Sequence, residues 1–309
     1  MGKLILHHLP GRPWLIQKFA LLPPNVKGAI TTLFAQEILG SANINAPVTT
    51  NLGINNTFRI SIPYYAPGFI LFGTPEEYRG ERGPLDLSLV LSQKCSVFLD
   101  VGAHVGYYIY FLRGRGSNVP IHFFEPNEEL YSLIKQNVNE NHLDDIAGYN
   151  LALGDRCGRA DFHLNISDPS SSSLDTYFIE KHRTIKTEIN ISTLDRFVET
   201  HNLKNIIVKV DVEAAEKQFL DGSAAALHVI SYLIIEILGP AFQDGVVNRL
   251  IEAGFEAYYI NDHKLEHTTD GTFNYIPFEY NWLFCREKPK QLQELVCQAG
   301  FEVISDSLS

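Results

Sequence analysis

The amino-acid sequence predicts an α/β fold with a seven-stranded sheet that is mostly parallel and whose last strand is antiparallel. From about Cys95 onward, apolar runs of strand length alternate with helical stretches. The runs lack polar alternation, which is typical of parallel strands that helices cover on both faces. No helical stretch separates the last two runs, so the seventh strand should return antiparallel to the sixth. The predicted strands are SVFLDV, IHFFE, AGYNLAL, NIIVKVDV, YLIIEIL, FEAYYI and NWLFCRE.

Residues 1–93 are predicted to form an extension of the main domain, which covers 94–309. An apolar segment over Trp14–Leu39 favours helix, and TFRISI alternates as a strand does, with YYAPG as a turn and FILFG as the return strand of a hairpin. A capping box with proline at its first helical position begins a short helix at Thr74. We expect this extension to pack on the core and to be a candidate substrate lid.

Two segments interrupt the alternation of strands and helices. ADFHLNIS and KTEINIS are interpreted as a hairpin inserted after the third strand, around a serine-rich loop. The connection 261–281 is interpreted as a long loop with four aromatic residues, which either stack on a sugar or pack the loop onto the core. His263 and His267 lie four apart in it, and a metal site there is a minor alternative.

Composition and charge narrow the classes of partner. The chain has 36 acidic and 25 basic residues and a net charge of −11, which disfavours a nucleic-acid substrate. No apolar run is long enough for a transmembrane helix, and the amino terminus is a poor signal peptide. The four cysteines form no C-x-x-C pair and are expected to be reduced thiols. We therefore expect a cytoplasmic protein with a small-molecule or carbohydrate substrate, and its oligomeric state stays open.

A glycine turn and an acid stand where a parallel sheet binds its ligand. The first predicted strand ends in Asp100-Val101-Gly102-Ala103-His104-Val105-Gly106, whose glycines let a ligand approach the backbone. The second strand ends in Glu125, nineteen residues after Gly106, and an acid there can accept both hydroxyl hydrogens of a ribose. The alternative is that Glu125 complements the dipole of the next helix. Together the two features favour a bound adenosine group.

Five strings in this order resemble the FkbM-type methyltransferases: VFLDVGAHVGYY, FFEPNEELYSLIKQNV, LALGD, TLDRF and KVDVEAAEKQFLDG. FGTPEEYRGERGPLDL resembles the segment upstream of that family's glycine motif. The resemblance implies a Rossmann-like class I methyltransferase fold that binds S-adenosylmethionine. It implies cofactor contacts for Asp100, Gly102, His104, Gly106 and Glu125, and a place near the adenine, or in the core, for Ala152. His104 stands where the family usually has asparagine. Ala214 stands where it usually has glycine, a departure that we interpret as mild because alanine suits a helix.

Three acids are candidates for the chemistry. Transfer of a methyl group to an alcohol needs a base or a metal, because a protonated hydroxyl is a poor nucleophile. Asp211 at the end of the fourth strand is the first choice for the base, and Glu213 is the second. Glu236, near the end of the fifth strand, could instead hold a divalent cation together with Asp211. His104 is a further candidate for the base. A purely structural role is also open, in which Asp211 and Glu213 charge the first turn of the following helix and pair with Lys209.

The sequence thus predicts an O-methyltransferase that acts on a hydroxyl of a sugar, a glycolipid or a small secondary metabolite. Two rival functions remain at this point. One is a cofactor-binding protein without catalysis. The second is a nicotinamide-dependent oxidoreductase, which the lack of G-x-G-x-x-G and the antiparallel seventh strand disfavour.

Overall fold

The computed structural model describes residues 47–51, 57–61, 81–165, 172–175, 184–273 and 280–305. Several predicted features lie outside these residues: the helix over Trp14–Leu39, the return strand FILFG, the capping box at Thr74, and two of the loop aromatics, Tyr275 and Phe278. The described chain divides into two compact units. The first contains 47–51, 57–61, 104–118 and 129–144, and the second contains the remaining described residues.

Strands and helices are named in chain order. The strands are β1 (Pro47–Asn51), β2 (Thr57–Ser61), β3 (Val97–Val101), β4 (Ile121–Phe124), β5 (Ile146–Tyr149), β6 (Ala152–Leu153), β7 (Gly158–Asn165), β8 (Thr184–Ser192), β9 (Ile206–Val210), β10 (Ile230–Glu236), β11 (Glu256–Asn261), β12 (Lys264–Thr268), β13 (Asn281–Cys285) and β14 (Glu302–Ile304). The helices are α1 (Arg82–Ser92), α2 (Tyr107–Gly114), α3 (Glu128–Glu140), α4 (Leu194–His201), α5 (Glu216–Asp221), α6 (Gly239–Gln243), α7 (Val246–Glu252) and α8 (Pro289–Val296). Within the described ranges, no helix has the length and apolar content that a membrane span requires.

The second unit contains a nine-stranded sheet in the order β14-β12-β11-β13-β10-β9-β3-β4-β5. Seven of these strands are the predicted ones, and β13 is antiparallel to both β10 and β11, as predicted. The expected number of seven is nevertheless wrong, because β12 and β14 extend the sheet beyond β11. The connection after Asn261 is therefore not all loop: Lys264–Thr268 is a strand.

The central strands are buried on both faces. Every residue of β3 and of β9 is buried, and the core around them contains apolar side chains from β10, β11 and β13 as well. Burying a branched aliphatic side chain contributes about 1.5–3 kcal/mol, so these unbroken runs are stable only between covering layers. The sheet fixes which residues meet at its carboxyl edge, where β3, β9 and β10 end side by side.

A second, three-stranded sheet in this unit has the order β6-β8-β7. The predicted third strand, AGYNLAL, is split: β5 lies in the large sheet, whereas β6 pairs parallel with β8. The predicted inserted hairpin is confirmed, because β7 and β8 are antiparallel from Gly158↔Ile191 to Asn165↔Thr184. Its inner side chains form a small apolar core, which contains Ala152, Ala160, Phe162, Ile189 and Ile191.

In the first unit, the predicted strand TFRIS is present as β2, but its described partner is β1, which the sequence did not predict. Phe58 and Ile60 are buried, as their alternation predicts. The Asn137 side chain of α3 accepts a hydrogen bond from the Ser61 N–H (2.8 Å) and donates one to the Ser61 carbonyl (2.9 Å). It also donates to the Tyr110 hydroxyl of α2. This amide satisfies backbone groups that would otherwise be buried without partners.

All four cysteines are free thiols, as predicted. Cys285 is buried, and burial raises its pKa well above the ordinary value, with Glu287 adding to the effect. Because the thiolate is the reactive form, burial disfavours reaction at this thiol.

Candidate active site

The glycine turn after β3 brings this strand against the segment that follows β9. Gly102 has φ +82°, a conformation that glycine adopts without strain. A Cβ at this position would stand 1.8 Å from the carbonyl oxygen of Asp211. The Gly102 N–H donates to the Phe124 carbonyl of β4 (3.0 Å). Both backbone conformation and close approach therefore require glycine at 102.

Asp100 is a buried acid with unmet hydrogen-bonding capacity. Its side chain is 2% exposed, and its Oδ2 has no hydrogen-bond partner among the described residues. Burial raises the pKa of Asp100 to about 7; Lys209 opposes this rise, and Asp211 and Glu81 add to it. A buried carboxyl of this kind fits a ligand that brings hydrogen-bond donors or positive charge.

His104 and Gly106 lie in the first unit and are described by their own backbone. Both have positive φ, 51° and 86° respectively, and Gly106 is the N-cap of α2. Asparagine, the family's usual residue at 104, tolerates this region better than most residues do. Histidine is also enriched in this region relative to most residues, so the departure at 104 is compatible with the backbone conformation.

Glu125 is buried at the end of β4, and its Oε1 accepts a hydrogen bond from the Asn127 N–H at 2.8 Å. α3 begins three residues after Glu125, at Glu128. The Asn150 amide donates to the backbone carbonyl of Glu125 at 2.9 Å. The contact with Asn127 agrees with the alternative role of Glu125 near the start of this helix, and the ribose contact stays a prediction.

Ala152 lies in β6, where its side chain packs in the apolar core of the small sheet. The structure thus shows the packing role. The adenine contact remains a prediction.

Three ionisable side chains, those of Lys209, Asp211 and Glu236, lie where β9 and β10 end. The Lys209 ammonium, 1% exposed, lies 3.8 Å from Oδ2 of Asp211, whose side chain is 33% exposed. Burial alone would lower the pKa of Lys209, but Asp211, Glu81, Glu236 and Asp100 raise it above the ordinary value. The ammonium is therefore a fixed cation beside Asp211.

Glu236 lies beside Asp211 at the end of β10. Burial raises the pKa of Glu236 well above the ordinary value, and the charge of Asp211, to which it hydrogen-bonds, raises it further. Two adjacent carboxylates cannot both ionise readily, which is why the pKa of Glu236 is raised beside Asp211.

The segment after β9 is not the start of a helix, which corrects two expectations. α5 begins at Glu216 with Ala215 as its N-cap, so neither Asp211 nor Glu213 lies in its first turn. Glu213 and Ala214 both have positive φ, 53° and 74°. Alanine at 214 is therefore not a mild replacement for glycine, because the left-handed region disfavours any Cβ. Tertiary contacts, which a helix pattern cannot reveal, set this conformation.

Asp211, Glu213 and Glu236 each offer a carboxylate oxygen, and these oxygens lie within 4.8 Å of one another. Oxygen ligands in this number suit a hard divalent cation. The two histidines that were a minor candidate for a metal site have partners elsewhere: His263 contacts Asp86 (3.1 Å) and Asp262, and His267 contacts Glu256 (2.7 Å).

One aromatic residue of the connection after Asn261 packs on the core. The ring of Phe273 lies 4.6 Å from that of Tyr259 and 4.8 Å from that of Trp282, measured between centroids. It also meets Phe242 of α6, which is 41% exposed. For Phe273, the structure therefore shows the second of the two predicted roles, packing of the loop onto the core.

The sequence prediction of the site missed three residues. Glu81 interacts electrostatically with Asp100 and Lys209, and its only signal was its place in the segment RGERGPLDL. Glu216 is fully buried and accepts a hydrogen bond from the Ala214 N–H. Ser173, in the serine-rich insert, donates to the Val212 carbonyl at 3.3 Å. A sequence pattern alone gives no reason to place the last two beside Asp211.

The strand order, with the reversed seventh strand and the glycine turn after the first core strand, defines a Rossmann-like class I methyltransferase fold. A family model described as the methyltransferase FkbM domain matches residues 100–274, more than half of the chain. The chain therefore belongs to the FkbM methyltransferase family and is an S-adenosylmethionine-dependent methyltransferase.

Comparison with individual proteins gives distant relatives. The chain is 28% identical over 178 residues to the hexuronic acid methyltransferase AglP of Haloferax volcanii, covering 57% of this chain and 70% of that protein. An O-methyltransferase from Bacillus cereus in complex with SAH is 13% identical and has a TM-score of 0.36, covering 66% of this chain and 79% of the other. A human methyltransferase 10 domain containing protein is 11% identical with a TM-score of 0.39, covering 86% and 99%.

Proposed function

We propose that this protein transfers the methyl group of S-adenosylmethionine to a hydroxyl of a sugar, a glycolipid or a small secondary metabolite. The observation that carries the proposal is the partly exposed carboxylate of Asp211, held between the buried Lys209 ammonium and Glu236. A carboxylate so placed is equipped to accept a proton from an alcohol.

The methyl group could be transferred to a hydroxyl or to a carboxylate, and these two acceptors require different chemistry from the site. The bound cofactor supplies an electrophilic methyl group on a sulfonium, whose leaving thioether needs no proton. A hydroxyl has to lose its proton as its oxygen attacks the methyl carbon, and Asp211 accepts that proton. A carboxylate acceptor would need no base, and the acids around Asp211 would repel it. The charge of the site thus favours a neutral hydroxyl.

Glu213 and Glu236 have supporting roles in the proposed reaction. Glu236, whose pKa is raised, hydrogen-bonds to Asp211 and so orients the Asp211 carboxylate. Glu213 is the second candidate for the base, and one of its carboxylate oxygens lies within 4.8 Å of oxygens of Asp211 and Glu236. In the metal-assisted alternative, the three carboxylates would hold a divalent cation that lowers the pKa of the acceptor hydroxyl.

For the cofactor, we propose the residues that the family motif indicates. Asp100 and Gly102 would lie along its methionine and sugar part, together with His104 and Gly106, and Glu125 would take the ribose hydroxyls. The unpartnered Asp100 oxygen supports this assignment, because a bound ligand could supply its missing hydrogen-bond donor. Ala152 near the adenine is the least supported member, because its methyl group already packs in the small core.

A carbohydrate acceptor agrees with two further observations. The relative from Haloferax volcanii is a hexuronic acid methyltransferase, and the net charge of −11 disfavours nucleic acid as an alternative. We propose a cytoplasmic location, and we propose that the extension 1–93 contributes to acceptor binding as a lid.

The deciding experiment identifies the methylated atom. Purified protein is incubated with methyl-labelled S-adenosylmethionine and, separately, methyl β-D-glucopyranoside, methyl β-D-glucuronide and a native small-molecule extract. We expect labelled product with the first or third acceptor, and label that survives mild alkali, because a methyl ether resists it. Label released as methanol would identify a carboxylate acceptor and contradict the proposal. Tight cofactor binding with no turnover on any acceptor would favour the non-catalytic alternative.

A further inference from the structure

The loop Asp211–Ala214 holds an unfavourable backbone conformation. Glu213 and Ala214 are consecutive, neither is glycine, and both lie in the left-handed region. Each such residue costs about 1–2 kcal/mol relative to a relaxed backbone. Two in succession persist only where surrounding contacts fix them. These contacts therefore determine where the Asp211 and Glu213 carboxylates lie.

Glu216 fixes the loop from its carboxyl-terminal side. Its Oε1 accepts a hydrogen bond from the N–H of Ala214 at 3.1 Å, and Glu216 itself is fully buried at the start of α5. A buried carboxyl is expensive, and burial raises the pKa of Glu216 to about 7. An apolar residue here would avoid that cost but would leave the Ala214 N–H without an acceptor.

Ser173 fixes the loop from the inserted hairpin. Its side chain is 2% exposed, and its Oγ donates to the Val212 carbonyl, between the two candidate acids. The same oxygen accepts from the Asp175 N–H at 2.9 Å, so its own direction is set. The Ser173 backbone pairs with that of His163 of β7 in both directions, at 2.9 and 3.2 Å. The inserted hairpin thus contacts the loop Asp211–Ala214 through the Ser173 hydroxyl, and backbone pairing with His163 holds Ser173 in place.

We propose that Glu216 and Ser173 are positioning residues that hold the loop Asp211–Ala214 in its left-handed conformation and so place the catalytic carboxylates. This inference rests on the proposed role of Asp211. Neither residue reaches the acceptor or the cofactor in this scheme. Their effect on turnover passes through the backbone of Val212 and Ala214.

The test uses the unfavourable backbone conformation of Glu213 and Ala214, which should relax when a stabilising contact is removed. Glu216→Ala should raise the exchange rate of the Ala214 and Ala215 amides at least tenfold in the full chain, measured by hydrogen–deuterium exchange. Glu216→Gln keeps a side-chain acceptor and should stay within twofold. Turnover on methyl β-D-glucopyranoside should fall 10- to 100-fold in Glu216→Ala, with the S-adenosylmethionine dissociation constant within twofold. Adding Ala214→Gly removes the energetic cost of a Cβ at positive φ. In the Glu216→Ala background it should raise turnover again by about 5- to 30-fold.

Ser173→Ala has a matched control in the same unit. Ser223 is also fully buried and donates its hydroxyl to a backbone carbonyl, that of Phe219, away from the loop. We expect Ser173→Ala to lower kcat at least fivefold without changing cofactor affinity, and Ser223→Ala to leave kcat unchanged. Ala214→Gly should again rescue the Ser173 variant.

Two results would overturn the inference. If Glu216→Gln lost as much turnover as Glu216→Ala while the loop amides stayed protected, Glu216 would act in the chemistry itself. If Ala214→Gly rescued neither variant, strain in the loop would be irrelevant. The exchange measurements need no turnover, so they decide the inference even if the wild-type protein proves inactive on this acceptor. If the wild-type protein were inactive but protection of its loop amides depended on Glu216, the proposed function would be contradicted and the positioning role would stand.

Discussion

The α-carbon of Gly102 packs so closely on the carbonyl oxygen of Asp211 that a Cβ would stand 1.8 Å from it. This contact joins the end of β3 to the loop after β9, and therefore the predicted cofactor turn to the predicted base. The Asp211 N–H donates to the Val101 carbonyl at 2.9 Å, which continues the ladder between β3 and β9 to the same point. Any residue with a side chain at 102 would move Asp211.

The first prediction concerns Gly102→Ala. It should destabilise the protein by more than about 3 kcal/mol and weaken S-adenosylmethionine binding at least tenfold, because a clash with backbone adds to an unfavourable φ. Gly116→Ala is the control: Gly116 has φ +79°, with no atom within 4 Å of an added Cβ. That variant should lose only about 1–2 kcal/mol. Equal losses in urea unfolding would show that the close approach is unimportant.

Glu125→Ala should weaken binding of S-adenosylhomocysteine by about tenfold or more, because hydrogen bonds to a charged carboxylate contribute about 1.5–3 kcal/mol. Calorimetry measures the affinity. The control is Glu128→Ala, an exposed acid at the start of α3 that shares the favourable helix dipole but not the predicted ribose contact. If both variants bound equally well, Glu125 would have only its role before the helix.

The third prediction is that Asp211→Asn keeps cofactor affinity but lowers turnover by about 10²–10⁴-fold, the usual contribution of a general base. The asparagine side chain preserves the volume of the site and removes only the proton acceptor. Asp221→Asn is the control, since Asp221 pairs with Lys217 and Arg249 at the end of α5. A fully active Asp211→Asn would exclude the role as base.

Sequence patterns predicted most of the large sheet because its central strands are continuous apolar runs, a signal that depends only on burial. They missed β12, where a single buried leucine, Leu265, alternates with polar residues in a short histidine-containing segment. They missed β1, PVTTN, for a similar reason: polar strands give no periodic signal.

The candidate site was predictable only in part. Its acids stand at strand ends, where topology brings them together whatever the details of the loops. The conformation of Ala214 was predicted wrongly, because the contacts that impose positive φ come from residues distant in sequence or from a buried carboxyl. Local propensity does not contain that information.

Removal of divalent cations tests the alternative to a protein base. We expect turnover after EDTA treatment and desalting to stay within twofold, because the Lys209 ammonium already places a positive charge beside Asp211. The measurement is the rate of S-adenosylhomocysteine formation, with and without added Mg²⁺. Loss of activity that Mg²⁺ restores would replace the base by a metal held at Asp211, Glu213 and Glu236.

The last prediction concerns stability against pH. The pKa of Glu216 is raised by burial to about 7 in the folded protein, above its ordinary value of 4.5. A raised pKa means that the folded state binds the proton more tightly, so this contribution to stability is complete below about pH 4.5 and is lost as pH rises through 7. Between pH 5 and pH 8 the wild-type free energy of unfolding should therefore fall by about 2 kcal/mol more than that of Glu216→Gln, whose amide does not titrate. Urea unfolding at both pH values measures the difference, and parallel pH dependences would show that Glu216 has no raised pKa.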